Sequence, residues 1–102
     1  MEFHIETNRI YAEDPSGRLL AEVTFPPLDE GTVIIDHTFV DASLRGQGIA
    51  GKLMEAAARQ LRETGRKAVP SCSYAVDWFE RHEAYRDIIS GGSVQKKTAR
   101  PL

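Results

Sequence analysis

Hydrophobic and polar positions predict short extended segments of an antiparallel sheet through the first half of the chain and change to a helical period at Ile49. Phe3 to Glu6 and Arg9 to Ala12 predict short extended segments. Asp14-Pro15-Ser16-Gly17 predicts a turn, because proline presets φ and glycine accepts a left-handed conformation. Arg18 to Phe25 resumes with β-compatible residues and closes a hairpin until Pro26-Pro27 stops the ladder, since proline has no N–H to give. Asp29-Glu30-Gly31 then turns the chain into Thr32 to Val40, the most apolar run, which predicts a single central strand.

From Ile49 onward, Ile49, Ala50, Leu53, Met54, Ala57 and Leu61 fall on one helical face, with Lys52, Glu55, Arg59, Arg62 and Glu63 mainly elsewhere. This predicts an amphipathic helix ended by Gly65. Ala68 to Ser73 predicts another strand, where Pro70 fits only at a bulge or an unpaired edge. Val76 to Glu83 predicts a short helix carrying Trp78 and Phe79, extended by Tyr85 to Ile89 and ended by Gly91-Gly92. The pattern predicts one domain over residues 1–90, of α/β (α+β) class with a mostly antiparallel sheet. Residues 91–102 have little to bury and predict a flexible tail.

Composition narrows the function classes. With 102 residues, 41% hydrophobic and 27% charged, the chain can build one core and no separate substrate-binding lobe. Thirteen basic against fifteen acidic side chains give a net charge of −2, so no global positive field draws it to nucleic acid or to an anionic membrane. Phosphate binding must therefore be local. The single cysteine, Cys72, has no intrachain disulfide partner. Met1-Glu2-Phe3-His4 lacks the basic and apolar segments of a signal peptide, and no apolar run spans a bilayer, so the expected location is the cytoplasm.

The densest signal is Leu44-Arg45-Gly46-Gln47-Gly48-Ile49-Ala50-Gly51-Lys52. Gly46, Gly48 and Gly51 spell a dinucleotide fingerprint, but Asp41 to Arg45 separates them from the strand, and Ser71-Cys72-Ser73 stands where a ribose-binding acid is needed. Gly46 and Gly51-Lys52 nearly spell a P-loop, but Leu53 replaces the hydroxyl that holds magnesium. The third pattern, Arg45-x-x-Gly48-x-Ala50, needs only an apolar strand, a short loop and the free amides of a helix N-terminus, which bind pyrophosphate. No acid precedes Glu55 in that helix, although acids are favoured at a positive helix end. Arg45 and Lys52 add positive charge, and the glycines permit close approach; the bland alternative is an ordinary glycine-rich loop leading into a helix.

With Arg45, Gly48 and Ala50 in place, the sequence resembles the GNAT N-acetyltransferase superfamily, whose acetyl-CoA pyrophosphate loop reads [Arg/Gln]-x-x-Gly-x-[Gly/Ala]. More narrowly it resembles a small single-domain group with three motifs, present here as His37-Thr38-Phe39-Val40, Arg45-Gly46-Gln47-Gly48-Ile49 and Pro70-Ser71-Cys72. The resemblance spans Glu2 to Ile89. It implies a minimal GNAT-type fold in which the strand carrying His37 to Val40 splays from the strand carrying Cys72, with acetyl-CoA in the V-shaped opening. Pantetheine would pair with the backbone near Phe39 and Val40, and Gly46, Gln47, Gly48, Ile49, Ala50 and Gly51 would hold the pyrophosphate beside Arg45. The chain lacks the helix pair that follows the first strand in larger members and builds their acceptor site. Its acceptor face is accordingly either open or completed by a partner subunit such as a second copy.

Acetyl transfer to an amine needs a neutral amine, a stabilised oxyanion and an acceptable leaving thiolate. The backbone N–H near Val40 is a candidate oxyanion donor. A lysine acceptor has a reference pKa of about 10.4 and must first lose a proton. His37, or Asp36 through water, is a candidate base, against the alternative of a structural histidine in a strand. Cys72 is the candidate nucleophile, because the amides of a following helix favour thiolate; otherwise it is a small buried hydrophobe. Tyr74 and Tyr85 are either packing residues or proton donors to the CoA sulfur, and Trp78 and Phe79 either core or pantetheine wall. His4 and His82 belong to no ligand-spaced cluster, so no metal is expected. Two readings follow: an acetyl-CoA-dependent transferase acting on a primary amine of a small molecule or protein, or a non-catalytic CoA-binding or interaction module.

Overall fold

Three β-hairpins carry the first half of the chain. The computed structural model describes residues 1–90, so the tail expected over 91–102 lies outside the described residues. Strands β1 (His4–Glu6), β2 (Arg9–Glu13) and β3 (Leu19–Thr24) form an antiparallel meander. The expected turn at Asp14 to Gly17 joins β2 to β3, with Gly17 at φ 90° and the Asp14 side chain accepting from the Ser16 and Arg18 amides. Alternation decides the faces. Ile10, Ala12, Ala21 and Val23 are fully buried on one, while Arg9, Tyr11, Glu22 and Thr24 stand on the other.

The run from Thr32 to Val40 is two strands rather than one. β5 (Thr32–Ile35) lies in the middle of a three-stranded sheet, between the short β4 (Pro27–Asp29) and β7 (Lys67–Pro70). β6 (His37–Val40) leaves that sheet and pairs with β3 at the end of the four-stranded sheet β1-β2-β3-β6. The switch occurs at Asp36, whose N–H donates to Thr24 O at 3.3 Å and whose carboxylate accepts from the Thr24 hydroxyl at 2.6 Å. Pro26-Pro27 ends the β3 ladder as expected, yet Pro27 opens β4, an edge strand where a missing N–H is tolerated. Pro70 likewise ends the edge strand β7.

Helix α1 (Ile49–Glu63) packs on the buried face of the first sheet, against β2, β3 and β6. Leu53, Met54, Ala57 and Leu61 are fully buried, as the periodicity predicts. Each large apolar side chain so placed contributes about 1.5–3 kcal/mol. Helix α2 (Ser73–Arg81) begins three residues before its predicted start, and its core residues Ala75, Trp78 and Phe79 pack toward β7 and α1. It does not continue to Ile89. His82, at φ −125° and ψ 77°, breaks it, and a separate 3-10 segment, Glu83–Ile88, follows. Arg62 secures that segment through Asp87 at 2.6 Å and Ala84 O at 2.5 Å. Among the described residues no helix is long and apolar enough to cross a membrane.

Candidate active site

The two sheets part immediately after Ile35. β5 and β7 run parallel from Thr32↔Lys67 to Ile35↔Pro70, and Ile35 O accepts the N–H groups of both Ser71 (2.9 Å) and Cys72 (3.2 Å). Beyond that point β6 follows β3 while the other chain enters α2, so a V-shaped gap opens between them. Cys72 therefore stands past the strand, at the N-cap of α2, half-buried and with no side-chain cap bond.

Antiparallel alternation settles which atoms of β6 face the gap. The Asp41 N–H donates to Leu20 O at 2.8 Å, so hydrogen-bonded pairing recurs every second residue, at Phe39↔Glu22 and His37↔Thr24. The backbone groups of Thr38 and Val40 point the other way, to the open edge. The Phe39 backbone, expected to pair with pantetheine, is instead committed to β3, and the backbone groups at the open edge are those of Thr38 and Val40.

The same alternation divides the side chains. Thr38 and Val40 share the inner face with Val23 and Ala21, and Thr38 Oγ1 lies 3.5 Å from Cys72 Sγ, where either group can donate. His37 and Phe39 occupy the outer face. The His37 side chain is 52% exposed, with Nε2 3.4 Å from Glu22 Oε1, and Glu22 is also bonded by Arg9 Nε at 2.5 Å. The structure thus separates the two expected catalytic residues: Cys72 faces the inner side with Thr38, and His37 the outer side with Glu22 and Arg9. Sequence reasoning assigned no role to Thr38 or Glu22, although the period of two already places Thr38 opposite His37.

The loop follows the open strand directly. Asp41 caps a 3-10 turn (Ala42–Leu44) by accepting from the Ser43 N–H at 3.0 Å. Its hydrogen bonds from Ser43, aided by Arg18 at 3.0 Å, hold its carboxyl below the usual range. Arg45 folds back to Val40 O at 3.3 Å, leaving Gly46, Gln47 and Gly48 exposed. Gly48 is the N-cap of α1 at φ 75° and ψ 16°, a conformation that suits glycine. It offers no side-chain cap, and the first turn holds no acid. The first intrahelical bond at this end is Lys52 N–H to Gly48 O at 3.2 Å, so the amides of Ile49, Ala50 and Gly51 are free to meet an anion. The Ile49 side chain is buried in the core and only its amide reaches the loop. Lys52 is exposed beside it. Among the described residues no three metal-ligating side chains converge.

A family model described as GCN5-related N-acetyltransferase matches residues 9–88. A GCN5-like protein from Staphylococcus aureus, solved by NMR, is 35% identical, with 90% of each chain covered and a TM-score of 0.74. A GNAT-family N-acetyltransferase from Escherichia coli, solved in complex with CoA, is 30% identical with a TM-score of 0.56; the match covers 63% of this chain and 39% of that one. A GNAT-family acetyltransferase from Brucella melitensis, in complex with acetyl-CoA, is 26% identical with a TM-score of 0.57, covering 74% of this chain and 51% of that one. The chain thus spans between about two-fifths and one-half of the two enzymes solved with cofactor. No curated protein matches it.

Proposed function

The chain belongs to the GCN5-related N-acetyltransferase family, and from that premise we propose that residues 1–90 form a single catalytic unit transferring the acetyl group of acetyl-CoA to a primary amine. The observation that carries this reading is the conjunction of an uncapped α1 N-terminus with an edge of β6 that no strand pairs and a thiol across the gap. The partners so assigned are acetyl-CoA and an amine acceptor, and no step of the mechanism uses a metal. The cofactor complexes of the E. coli and B. melitensis relatives support the same ligand here.

In this mechanism the free amides of Ile49, Ala50 and Gly51 bind the pyrophosphate, with Gly46, Gln47 and Gly48 shaping the loop and Arg45 adding charge. Pantetheine amides extend along the open edge at Thr38 and Val40, as an added strand would. The thioester carbonyl then lies by the Val40 N–H, which stabilises the oxyanion. The Cys72 sulfur attacks that carbonyl, its proton passing to the departing CoA sulfur as the tetrahedral intermediate collapses, so that CoA leaves as the free thiol and acetyl-Cys72 results. The Thr38 hydroxyl, 3.5 Å from Sγ, orients the sulfur. Exposed His37, across β6 from Cys72, takes the amine's proton through solvent before the attack, and the neutral amine then attacks acetyl-Cys72, releasing the amide and restoring the thiol.

The test is acetyl transfer across a panel of amines, followed by CoA release, beside calorimetry with CoA. Turnover with at least one amine supports the enzyme. CoA binding without transfer to any amine supports the binding-module reading instead.

A further inference from the structure

Gly51 sits at the third position of α1, where the fold gives no reason for a glycine. Its φ lies outside the left-handed region, and a methyl group there would meet only the Tyr74 hydroxyl at 3.7 Å and Trp78 Nε1 at 3.9 Å, both ordinary contacts. Alanine at this position would fit and would favour the helix. Both atoms bordering the space are hydrogen-bond donors. Trp78 is 3% exposed, and neither its indole N–H nor the Tyr74 hydroxyl has an acceptor among the described residues. A buried N–H without a partner is unfavourable unless something else supplies one. The indole cannot easily turn away, because it stacks on His82 at 4.0 Å and 11° and meets the edge of Phe79 at 5.0 Å. Cβ positions on a helix tilt toward its N-terminus, so the space beside Gly51 lies on the side of the free amides. Burial pushes the Tyr74 phenol up, which keeps it a donor.

We propose that Trp78 Nε1–H and the Tyr74 hydroxyl are two further donors to bound CoA, meeting an oxygen of its pyrophosphate or of the adjoining pantetheine in the space that Gly51 leaves open. The inference rests on the cofactor assignment above and adds α2 to the binding machinery. It gives one substitution an unusual pair of effects. Gly51→Ala stabilises the helix and at the same time fills the space, so Tm rises while CoA affinity falls about tenfold.

Calorimetry with CoA and with ADP, beside thermal unfolding, makes the test. Tyr74→Phe loses about five- to tenfold in CoA affinity, since it deletes one hydrogen bond and keeps the ring, and Trp78→Phe, which also removes part of the buried indole, loses at least as much. A loss that persists with ADP places the acceptor oxygen on the pyrophosphate, and a loss confined to CoA places it on the pantetheine. Unchanged CoA affinity in folded Gly51→Ala and Tyr74→Phe overturns the proposal, whether or not Trp78→Phe folds. The cofactor assignment fails separately: it falls if the wild type binds no CoA, or if Gly48→Glu, which blocks the loop itself, also binds CoA normally.

Discussion

The two ends of α1 are built on opposite principles. At the C-terminal end every device that satisfies a helix terminus is in place. Thr64 returns both its N–H and its hydroxyl to Gln60 O, at 3.0 and 2.8 Å, Gly65 N–H meets Arg62 O, and Arg66 N–H meets Leu61 O. Gly65, at φ 72°, takes the left-handed step this closure needs, and Arg62 lies in the last turn where a cation suits the dipole. At the N-terminal end none of these devices appears. Gly48 has no side chain, the first turn has no acid, and three amides point outward. Yet the molecule does use such a cap four residues before the loop, where Asp41 closes the preceding 3-10 turn. The contrast teaches that α1 is closed at one end only, and under the proposed function an anionic ligand completes the other.

Blocking the bare end has the largest expected effect. Gly48→Glu puts a side chain on a left-handed residue, at a cost of about 1–2 kcal/mol in stability, and fills the anion site with a carboxylate. The protein remains folded by circular dichroism, and calorimetry detects no CoA binding. Normal CoA affinity in that variant would remove the comparison's functional meaning.

The second open end is that of α2, where Cys72 stands. Cys72→Ala loses most turnover while keeping CoA affinity, and brief incubation of the wild type with acetyl-CoA adds one acetyl mass at Cys72. Near-normal turnover of folded Cys72→Ala, with no acetyl adduct trapped when acceptor is withheld, would replace the relay by direct attack of the amine.

The closed end responds in stability alone. Gly65→Ala forces alanine into φ near 72° and lowers unfolding stability by about 1 kcal/mol, read as a reduced urea midpoint. CoA affinity stays at the wild-type value. A change in CoA affinity equal to that of a loop variant would show that the two ends are not independent.

The smallest effect is the acid response of the carboxylates that close turns around the site. Hydrogen bonds from Ser16 and from the Arg18 amide hold Asp14 at about 2, and Asp41 is lowered by Ser43. A carboxylate whose folded value is depressed contributes stability above its ordinary value of about 3.9, and loses that contribution as pH falls toward the folded value. Urea midpoints therefore decline between about pH 4 and pH 2. Asp14→Asn flattens that decline, and a slope unchanged by it would assign the acid response to other groups.

How much of this was legible beforehand follows from the range over which each feature is decided. The bounds of α1, its stop at Gly65, the Asp14–Gly17 turn and the uncapped glycine loop depend on neighbours within a few residues. Propensity, periodicity and capping chemistry act over just that distance, and the sequence by itself determined them. The division of Thr32 to Val40 was different. Nothing local distinguishes Ile35 from Thr38 as strand residues, and the break at Asp36 exists because β5 finds β7 some thirty-five residues later while β6 finds β3. That partner choice opened the gap, turned Thr38 toward Cys72 and His37 toward Glu22, and left the backbone of Thr38 rather than that of Phe39 at the open edge. The early start of α2 and the meeting of Tyr74 and Trp78 over Gly51 were likewise set by the packing of α2 on α1. Only the tertiary structure decided these, because pairing and packing compare distant segments that no local pattern can rank.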